Sequence, residues 1–280
     1  MRLAVLVLLA GCAKGTSFSS DAPPAGDGAP DDGETAADAR PGSNSRAPLV
    51  TEVVLTPTMG ELIEITNPTG QVIDLTSYYL SDSGNYFRLP AGATVDPTDF
   101  IVKFPAGAMV AARSTITIAI DTAANFQAVH GVAPTYSIAS GTMMSVVANG
   151  SAQLTNGGEL VVLFEWSGSD LVHDCDLTLA GVPTAANGLV NKSGVPVDGP
   201  DADSMTTTYS TDARTITNQA LAPGSGVSTK RITGEAGNET QAGTGNGLGG
   251  DDETSENTSA TWDTTYSAPT PGTVPSTVLM

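Results

Sequence analysis

The chain has 280 residues and a formal net charge of −19 at neutral pH, because thirty acidic residues outnumber eleven basic ones. That charge argues against a nucleic-acid-binding protein, which needs a basic surface to displace counterions from phosphate. It also argues against a polybasic attachment to anionic lipid. Charged residues make up only 15% of the chain and aromatic residues 5%. Gly, Ser, Thr, Asn and Ala fill the gap, a composition typical of turns, loops and β-strands rather than helices.

The first twelve residues predict export followed by lipidation. Arg2 precedes the apolar run 3–10, which is the pattern of a signal peptide. The run is too short for a transmembrane helix, which needs about 18 apolar residues. Leu9-Ala10-Gly11-Cys12 resembles the lipobox of bacterial lipoproteins, in which the cysteine thiol receives a diacylglyceryl group and the preceding peptide is removed. We therefore expect a signal peptide at 1–11 and a membrane lipid bound through Cys12; the alternative is a plain secretory signal with an incidental cysteine.

The predicted tether covers residues 12–48. Beyond the cysteine it contains almost no large apolar side chain apart from Phe18, so it cannot offset the entropy of ordering and is predicted to be a disordered stalk. A peptide that folds on binding is the alternative. Ala13 follows the cysteine, and by analogy with lipoprotein sorting the absence of Asp there favours the outer membrane. The expected location is the bacterial cell envelope, as an outer-membrane lipoprotein that is periplasmic or surface-exposed.

From residue 49 onward, short runs rich in Val, Ile, Leu, Thr and Tyr alternate with clusters of Gly, Pro, Asn and Asp, which is typical of a sandwich or barrel. Ile63 and Ile65 share one side of their strand, as do Ile116, Ile118 and Ile120. One apolar face per strand suits two sheets packed face to face. The predicted strands are Leu49–Leu55, Glu61–Asn67, Gln71–Asp74, Tyr78–Ser81, Phe100–Phe104, Thr115–Ile120, Met143–Val147, Glu159–Trp166 and Leu171–Asp176, with one short helix over Thr122–His130.

Several motifs in this region resemble those of the lamin tail domain family. The main one is the stretch Glu-Leu-Ile-Glu-Ile-Thr-Asn-Pro at 61–68, and further agreement comes from 154–160, Trp262 and 269–272. The resemblance spans most of residues 49–275 and implies an all-β, immunoglobulin-like β-sandwich, here with long loop insertions after the stalk. The family-motif positions are Glu61, Ile63, Glu64, Ile65, Asn67, Pro68, Asp74, Leu75 and Tyr78, the last standing where Trp is usual.

The predicted domain, 49–275, is much longer than a compact sandwich of about 100 residues. The excess is expected in 181–228 and 233–260, as long loops or edge hairpins and not as a second core. Glu64, which lies between two isoleucines, is interpreted as a polar partner on the solvent side of its strand. A buried acid with a chemical role is the alternative.

Residues that suit nucleophilic catalysis are sparse. The chain has two histidines, His130 and His173, and lacks the G-x-S-x-G nucleophile elbow. Cys175 lies two residues after His173, so on a strand both side chains point the same way. Since no orienting third group is close in the sequence, we interpret the cysteine as an apolar filler in a strand and the histidine as exposed. We expect no enzymatic activity.

Two acidic stretches are candidate sites for a hard cation, because Ca²⁺ prefers carboxylate oxygens supplied by loops. One contains Asp198, Asp201 and Asp203, and the other contains Asp251 and Asp252. Neither stretch matches the EF-hand loop, so the main interpretation is a solvated acidic loop with no metal and no cofactor. Bound Ca²⁺ is the alternative.

Together these features predict a lipid-anchored cell-envelope protein that displays a non-enzymatic lamin-tail-like domain for binding or structural support. Its expected partners are membrane lipid and an unidentified envelope protein or polymer, and no nucleic acid. One alternative is a cation-dependent adhesion protein or matrix scaffold. A second alternative is a cation-dependent hydrolase that acts on envelope polymers through its acidic loops.

Overall fold

The computed structural model describes residues 48–181, 190, 192–209, 220–234, 239–241, 253–256 and 258–279. Within these residues short strands dominate. They are β1 Leu49–Val54, β2 Leu62–Thr66, β3 Ile73–Asp74, β4 Tyr78–Ser81, β5 Phe100–Lys103, β6 Met109–Val110, β7 Thr115–Ala119, β8 Tyr136–Ser137, β9 Met144–Ala148, β10 Gly158–Glu165, β11 His173–Gly181, β12 Pro196–Asp198, β13 Thr206–Thr208, β14 Thr229–Lys230, β15 Glu239–Gln241 and β16 Glu253–Glu256. The α-helices are α1 Ala123–His130 and α2 Thr258–Thr261, and short 3₁₀-helices cover Thr58–Gly60, Tyr86–Ala91 and Ser276–Val278.

Ten of these strands form two five-stranded sheets. The first sheet has the order β14-β1-β2-β7-β8 and the second the order β11-β10-β4-β5-β9. Pairing within the sheets is antiparallel except between β7 and β8, which run parallel. Three further pairs, β3–β6, β12–β13 and β15–β16, form small two-stranded sheets. The predicted all-β architecture is confirmed.

The core between the two sheets follows from the alternating pattern. In the first sheet Ile63 pairs with Ile118 and Ile65 with Ile116, and all four side chains join one buried hydrophobic cluster. Leu163, on β10 of the second sheet, belongs to the same cluster. Burial of an isoleucine or leucine side chain contributes about 1.5–3 kcal/mol, so this stripe supplies much of the energy that holds the sheets together.

The outer face of the second sheet carries another hydrophobic cluster, around Phe164 and Leu177. Val190, Val197 and Tyr209 belong to this cluster and are at most 2% exposed. The insertion contains the hairpin β12–β13, which forms a sheet of its own and does not extend an edge of either large sheet as the predicted edge hairpins would. The prediction that the insertion adds no second core is wrong, because three of its residues help to bury this cluster. Residues 182–189, 191 and 210–219 lie outside the described part, as does the predicted tether up to residue 47.

The outer face of the first sheet is buried as well, which corrects the interpretation of Glu64. This side chain is 0% exposed, although it was predicted to face solvent. The alternation itself is correct, because Ile63 and Ile65 point into the core between the sheets. The cover over Glu64 comes from Gly272, near the far end of the chain, whose N–H donates to Oε2 at 2.7 Å.

The predicted helix forms as α1, because its two ends carry suitable residues. The Thr122 side chain accepts a hydrogen bond from the Asn125 N–H at 3.2 Å, a typical N-cap. At the other end Gly131 adopts the left-handed conformation, with φ 75°, that terminates many helices.

Candidate functional site

A cleft opens at one end of the second sheet, where β4 begins and where β5 and β10 end. Strand pairing brings these ends together, because Tyr78 lies opposite Glu165 and Tyr79 lies opposite Lys103. The cleft has a volume of about 530 Å³. Its lining consists of Asp74, Thr76, Ser77, Tyr78, Tyr79, Lys103, Glu165, Trp166, Ser167 and Gly168.

An indole ring held in a fixed orientation forms one wall of the cleft. Trp166 is half-buried, its Nε1–H donates to the carbonyl of Ser169, and its ring centroid lies 6.0 Å from that of Tyr79. Tyr79 in turn stacks on Phe164 with a centroid distance of 5.2 Å. These contacts fix the indole before any ligand arrives.

The polar groups of the cleft include acceptors, donors and hydroxyls. The Glu165 carboxylate accepts a 2.7 Å hydrogen bond from the Ser77 hydroxyl. Lys103 places its ammonium 5.2 Å from the Tyr79 ring centroid, and among the described residues no carboxylate forms an ion pair with it. Asp74 is exposed, and hydrogen bonds from Thr76 lower the pKa of its carboxyl, so it is charged at neutral pH.

Five of the family-motif residues lie in the core or line this cleft. Ile63, Ile65 and Leu75 are 0% exposed and pack between the sheets, whereas Asp74 and Tyr78 line the cleft. Trp166, Lys103 and Glu165 were not singled out from the sequence as site residues. The one sequence feature that could have pointed to the cleft is the position of Trp166 at the predicted end of a strand.

Asn67 fixes the turn that begins at the motif residue Pro68. Its Nδ2 donates to the carbonyls of Gln71 at 2.6 Å and of Val110 and Ala111 at 3.1 Å. Its Oδ1 accepts the N–H of Thr69 at 2.9 Å, which forms an Asx turn. The residue therefore has a structural role that explains its place in the motif.

Three motif-region carboxylates are buried and have structural partners. Glu61 accepts the Leu154 N–H at 3.2 Å, and burial raises the pKa of its carboxyl to about 7. Glu64 accepts from Gly272, and burial raises its pKa to about 8. Glu52, directly opposite Glu64 in the sheet register, accepts the Thr270 N–H at 2.9 Å. These acids anchor loops and the C-terminal segment.

The predicted cation ligands Asp198, Asp201 and Asp203 do converge. One oxygen from each lies within 4.8 Å of the others, and Asp198 Oδ1 is buried without a hydrogen-bond partner among the described residues. Asp201 and Asp203 are exposed and accept backbone N–H groups of their own loop. Exposed acids often converge without an ion, so the cluster by itself does not define a cation site. Asp251 and Asp252 lie outside the described residues.

Cys175 and His173 do not form an accessible reactive pair. Cys175 is 0% exposed and packs in the core between the sheets, which confirms its interpretation as a filler. A register shift in the β10–β11 pairing falls at this residue. His173 is half-buried, whereas it was predicted to be exposed. The His130 ring packs on Phe126, and its Nε2 lies 2.9 Å from the Gly60 carbonyl oxygen.

Two sheets of mainly antiparallel strands around a common core define an immunoglobulin-like β-sandwich. Residues 41–178 match the family model described as Lamin Tail Domain, so this segment is similar to lamin tail domains. The match ends before Trp262 and 269–272, where further resemblance was expected. No curated protein and no solved structure matches the chain significantly. Within the described residues, no helix has the length and apolar character of a membrane span.

Proposed function

We propose that this protein is a lipid-anchored component of the bacterial cell envelope that displays a non-enzymatic lamin tail domain as a binding module. The observation that carries the proposal is the sequence Leu9-Ala10-Gly11-Cys12 directly after a basic residue and an apolar run. Two or more acyl chains on one cysteine give durable membrane attachment, which a single chain does not.

The rest of the chain supports display of the domain away from the membrane. A stretch rich in Pro, Gly and Asp separates Cys12 from β1, and such a composition is typical of linkers that act as spacers. The net charge of −19 repels the domain from anionic headgroups. The cleft beside Trp166 supplies a concave surface with convergent polar groups, as binding sites have.

The anchor is tested with Cys12→Ala in the full chain, expressed in a Gram-negative host. Wild-type protein should partition with membranes and incorporate an alkyne-bearing fatty acid, whereas Cys12→Ala should lose the label and the membrane association. Cys175→Ala is the matched control, because Cys175 is the second of the two cysteines and is fully buried; it should keep both. Unlabelled wild-type protein, or membrane-bound Cys12→Ala, would show that the anchor is wrong.

Measurements on the purified chain separate this proposal from its two rivals. Cation-dependent adhesion predicts self-association on addition of Ca²⁺, seen by light scattering and lost in Asp201→Asn/Asp203→Asn. A cation-dependent hydrolase predicts turnover of envelope polymers that the same double variant abolishes. A binding module without catalysis predicts neither result.

A further inference from the structure

The cleft beside Trp166 is large enough to hold a small molecule or one unit of a polymer. Its volume of about 530 Å³ falls within the range of roughly 300–1,000 Å³ that small-molecule sites occupy. It lies at the ends of β10, β4 and β5, which are the three inner strands of the second sheet. An extended peptide binds by pairing with a free sheet edge, and inner strands offer none, so the position disfavours a peptide added as a strand.

The indole of Trp166 offers a flat apolar surface whose orientation is already fixed. The residue is half-buried, its indole N–H donates a hydrogen bond to the Ser169 carbonyl, and its ring packs beside Tyr79. A tryptophan held in this way presents its π face at little cost in conformational entropy. The C–H face of a pyranose ring is a ligand surface that matches such a platform.

The groups around the indole are of the kinds that hydrogen-bond to hydroxyls. The carboxylates of Glu165 and Asp74 only accept hydrogen bonds and the Lys103 ammonium only donates them. The Ser77 hydroxyl already donates to Glu165, so toward a ligand it acts as an acceptor. Neighbouring hydroxyls on a sugar ring donate and accept at once, so they can engage both kinds of group. Bonds to the charged groups are the stronger ones.

Charge selects among saccharides. The cleft contains two carboxylates against one ammonium, and the whole chain carries −19, so a polyanionic glycan is repelled during approach. We infer that the cleft formed by Trp166, Lys103, Glu165 and Asp74 binds an uncharged saccharide, with one ring stacked on the indole. The inference rests on the proposed binding function and assigns its ligand class, but it does not depend on the anchor.

Binding is measured by calorimetry on the full chain in detergent micelles, with cellohexaose, mannohexaose, xylohexaose and chitohexaose as neutral probes and oligogalacturonate as the acidic probe. At least one neutral probe should bind saturably and shift the tryptophan emission to the blue. The shift locates the site, because the other tryptophan, Trp262, is only 2% exposed.

Variants place the sugar in the cleft. Trp166→Ala should weaken saccharide binding about tenfold or more, which corresponds to about 1.4 kcal/mol. Lys103→Ala should also weaken binding. Trp166→Phe keeps an aromatic face and should therefore keep most of the affinity. Met205→Ala, 77% exposed and outside the cleft, is the matched control and should bind like wild type. Circular dichroism verifies that each variant is folded.

Three results would overturn the inference: no neutral probe binds, Trp166→Ala or Trp166→Phe behaves contrary to expectation while folded, or the acidic probe binds more tightly than the neutral ones. If the protein binds no saccharide in the cleft but its membrane attachment depends on Cys12, the proposed display function stands and only the ligand class is wrong. Failure of the anchor with saccharide binding retained leaves the cleft intact, so the two outcomes are distinguishable.

Discussion

Glu64 shows how a single acid links the fold to pH. It is 0% exposed and lies opposite Glu52, whose carboxylate is 3.7 Å from the Lys230 ammonium. Burial is the main cause that raises the pKa of Glu64 from its ordinary 4.5 to about 8, and the charge of Glu52 adds to it. Folding therefore favours the protonated form of Glu64.

The pH dependence of stability follows from that shift. A carboxyl with a raised folded-state pKa contributes stability that is complete below pH 4.5 and is lost as pH rises to about 8. Glu61 and Glu159, each with a pKa raised by burial to about 7, act in the same direction. Urea unfolding should thus give a free energy of unfolding that falls between pH 5 and pH 8.

Glu64→Gln isolates the contribution of this residue, because an amide keeps an acceptor for the Gly272 N–H without the charge. The variant should show a flatter pH profile and should be more stable than wild type at pH 8. Asp201→Asn, at an exposed acid, is the control and should keep the wild-type slope. A free energy that stays constant or rises from pH 5 to pH 8 would contradict the assignment.

The alternating pattern around Glu64 predicts which side of β2 it occupies but not what covers that side. The cover comes from Gly272, 208 residues later in the chain, and no local pattern encodes a contact of that length. The same holds for the cleft. Asp74 and Tyr78 could be named from the family motif, whereas Lys103 and Glu165 join them only because β5, β4 and β10 pair in one register.

At the scale of elements, a buried ion pair connects the two sheets. Arg231, directly after β14, binds Asp176 on β11 at 3.0 Å, and both side chains are 0% exposed. The guanidinium also donates to the Val50 carbonyl on β1 at 2.8 Å and lies 5.1 Å from the Trp262 ring centroid. The pair thus connects β1, β11 and the segment containing Trp262.

Removal of one partner should destabilise the protein strongly. Arg231→Met leaves the Asp176 carboxylate buried without its cation, for which a loss of about 3–5 kcal/mol in the free energy of unfolding is typical. The double variant Arg231→Met/Asp176→Asn removes the stranded charge and should recover part of that loss. Urea unfolding measures both values.

Lys230→Met is the matched control for that series, because Lys230 directly precedes Arg231 and forms a partly solvated ion pair. Its side chain is 22% exposed, and its ammonium lies 3.7 Å from the Glu52 carboxylate. Its loss should be smaller than that of Arg231→Met, since partly solvated pairs contribute about 1 kcal/mol or less. Equal losses for the two variants, or no recovery in the double variant, would show that the Arg231–Asp176 pair is not the connection described.

Element prediction succeeded where apolar residues alternate and failed where they do not. The strands around Ile63, Ile116 and Phe100 carry enough apolar side chains to define a face, and their predicted bounds agree with β2, β7 and β5 to within one residue. The strand β13 consists of three threonines, Thr206–Thr208, so its sequence gives no face and the hairpin was expected only in general terms. Tyr209 belongs to the second hydrophobic cluster, and no local pattern indicates its burial.

For the whole molecule, the family match and the folded unit differ in extent. The match ends at residue 178, inside β11, whereas the sandwich also uses β14 as an edge strand of the first sheet. Beyond the match, Tyr209 covers the second sheet, Arg231 pairs with Asp176, and Gly272 covers Glu64. The segment that defines the family therefore lacks parts of both outer faces.

A fragment of residues 41–178 should consequently fail to fold cooperatively, while 41–280 should fold like the full chain. The shorter fragment exposes Phe164 and Leu177 of the second cluster and leaves Asp176 and Glu64 without the partners that bury them. Lost apolar burial and unpaired carboxylates both destabilise the folded state. Urea unfolding, followed by near-ultraviolet circular dichroism, should show one transition for 41–280 and none for 41–178. A cooperative transition in the shorter fragment would show that the family segment is self-sufficient and that the later residues only decorate it.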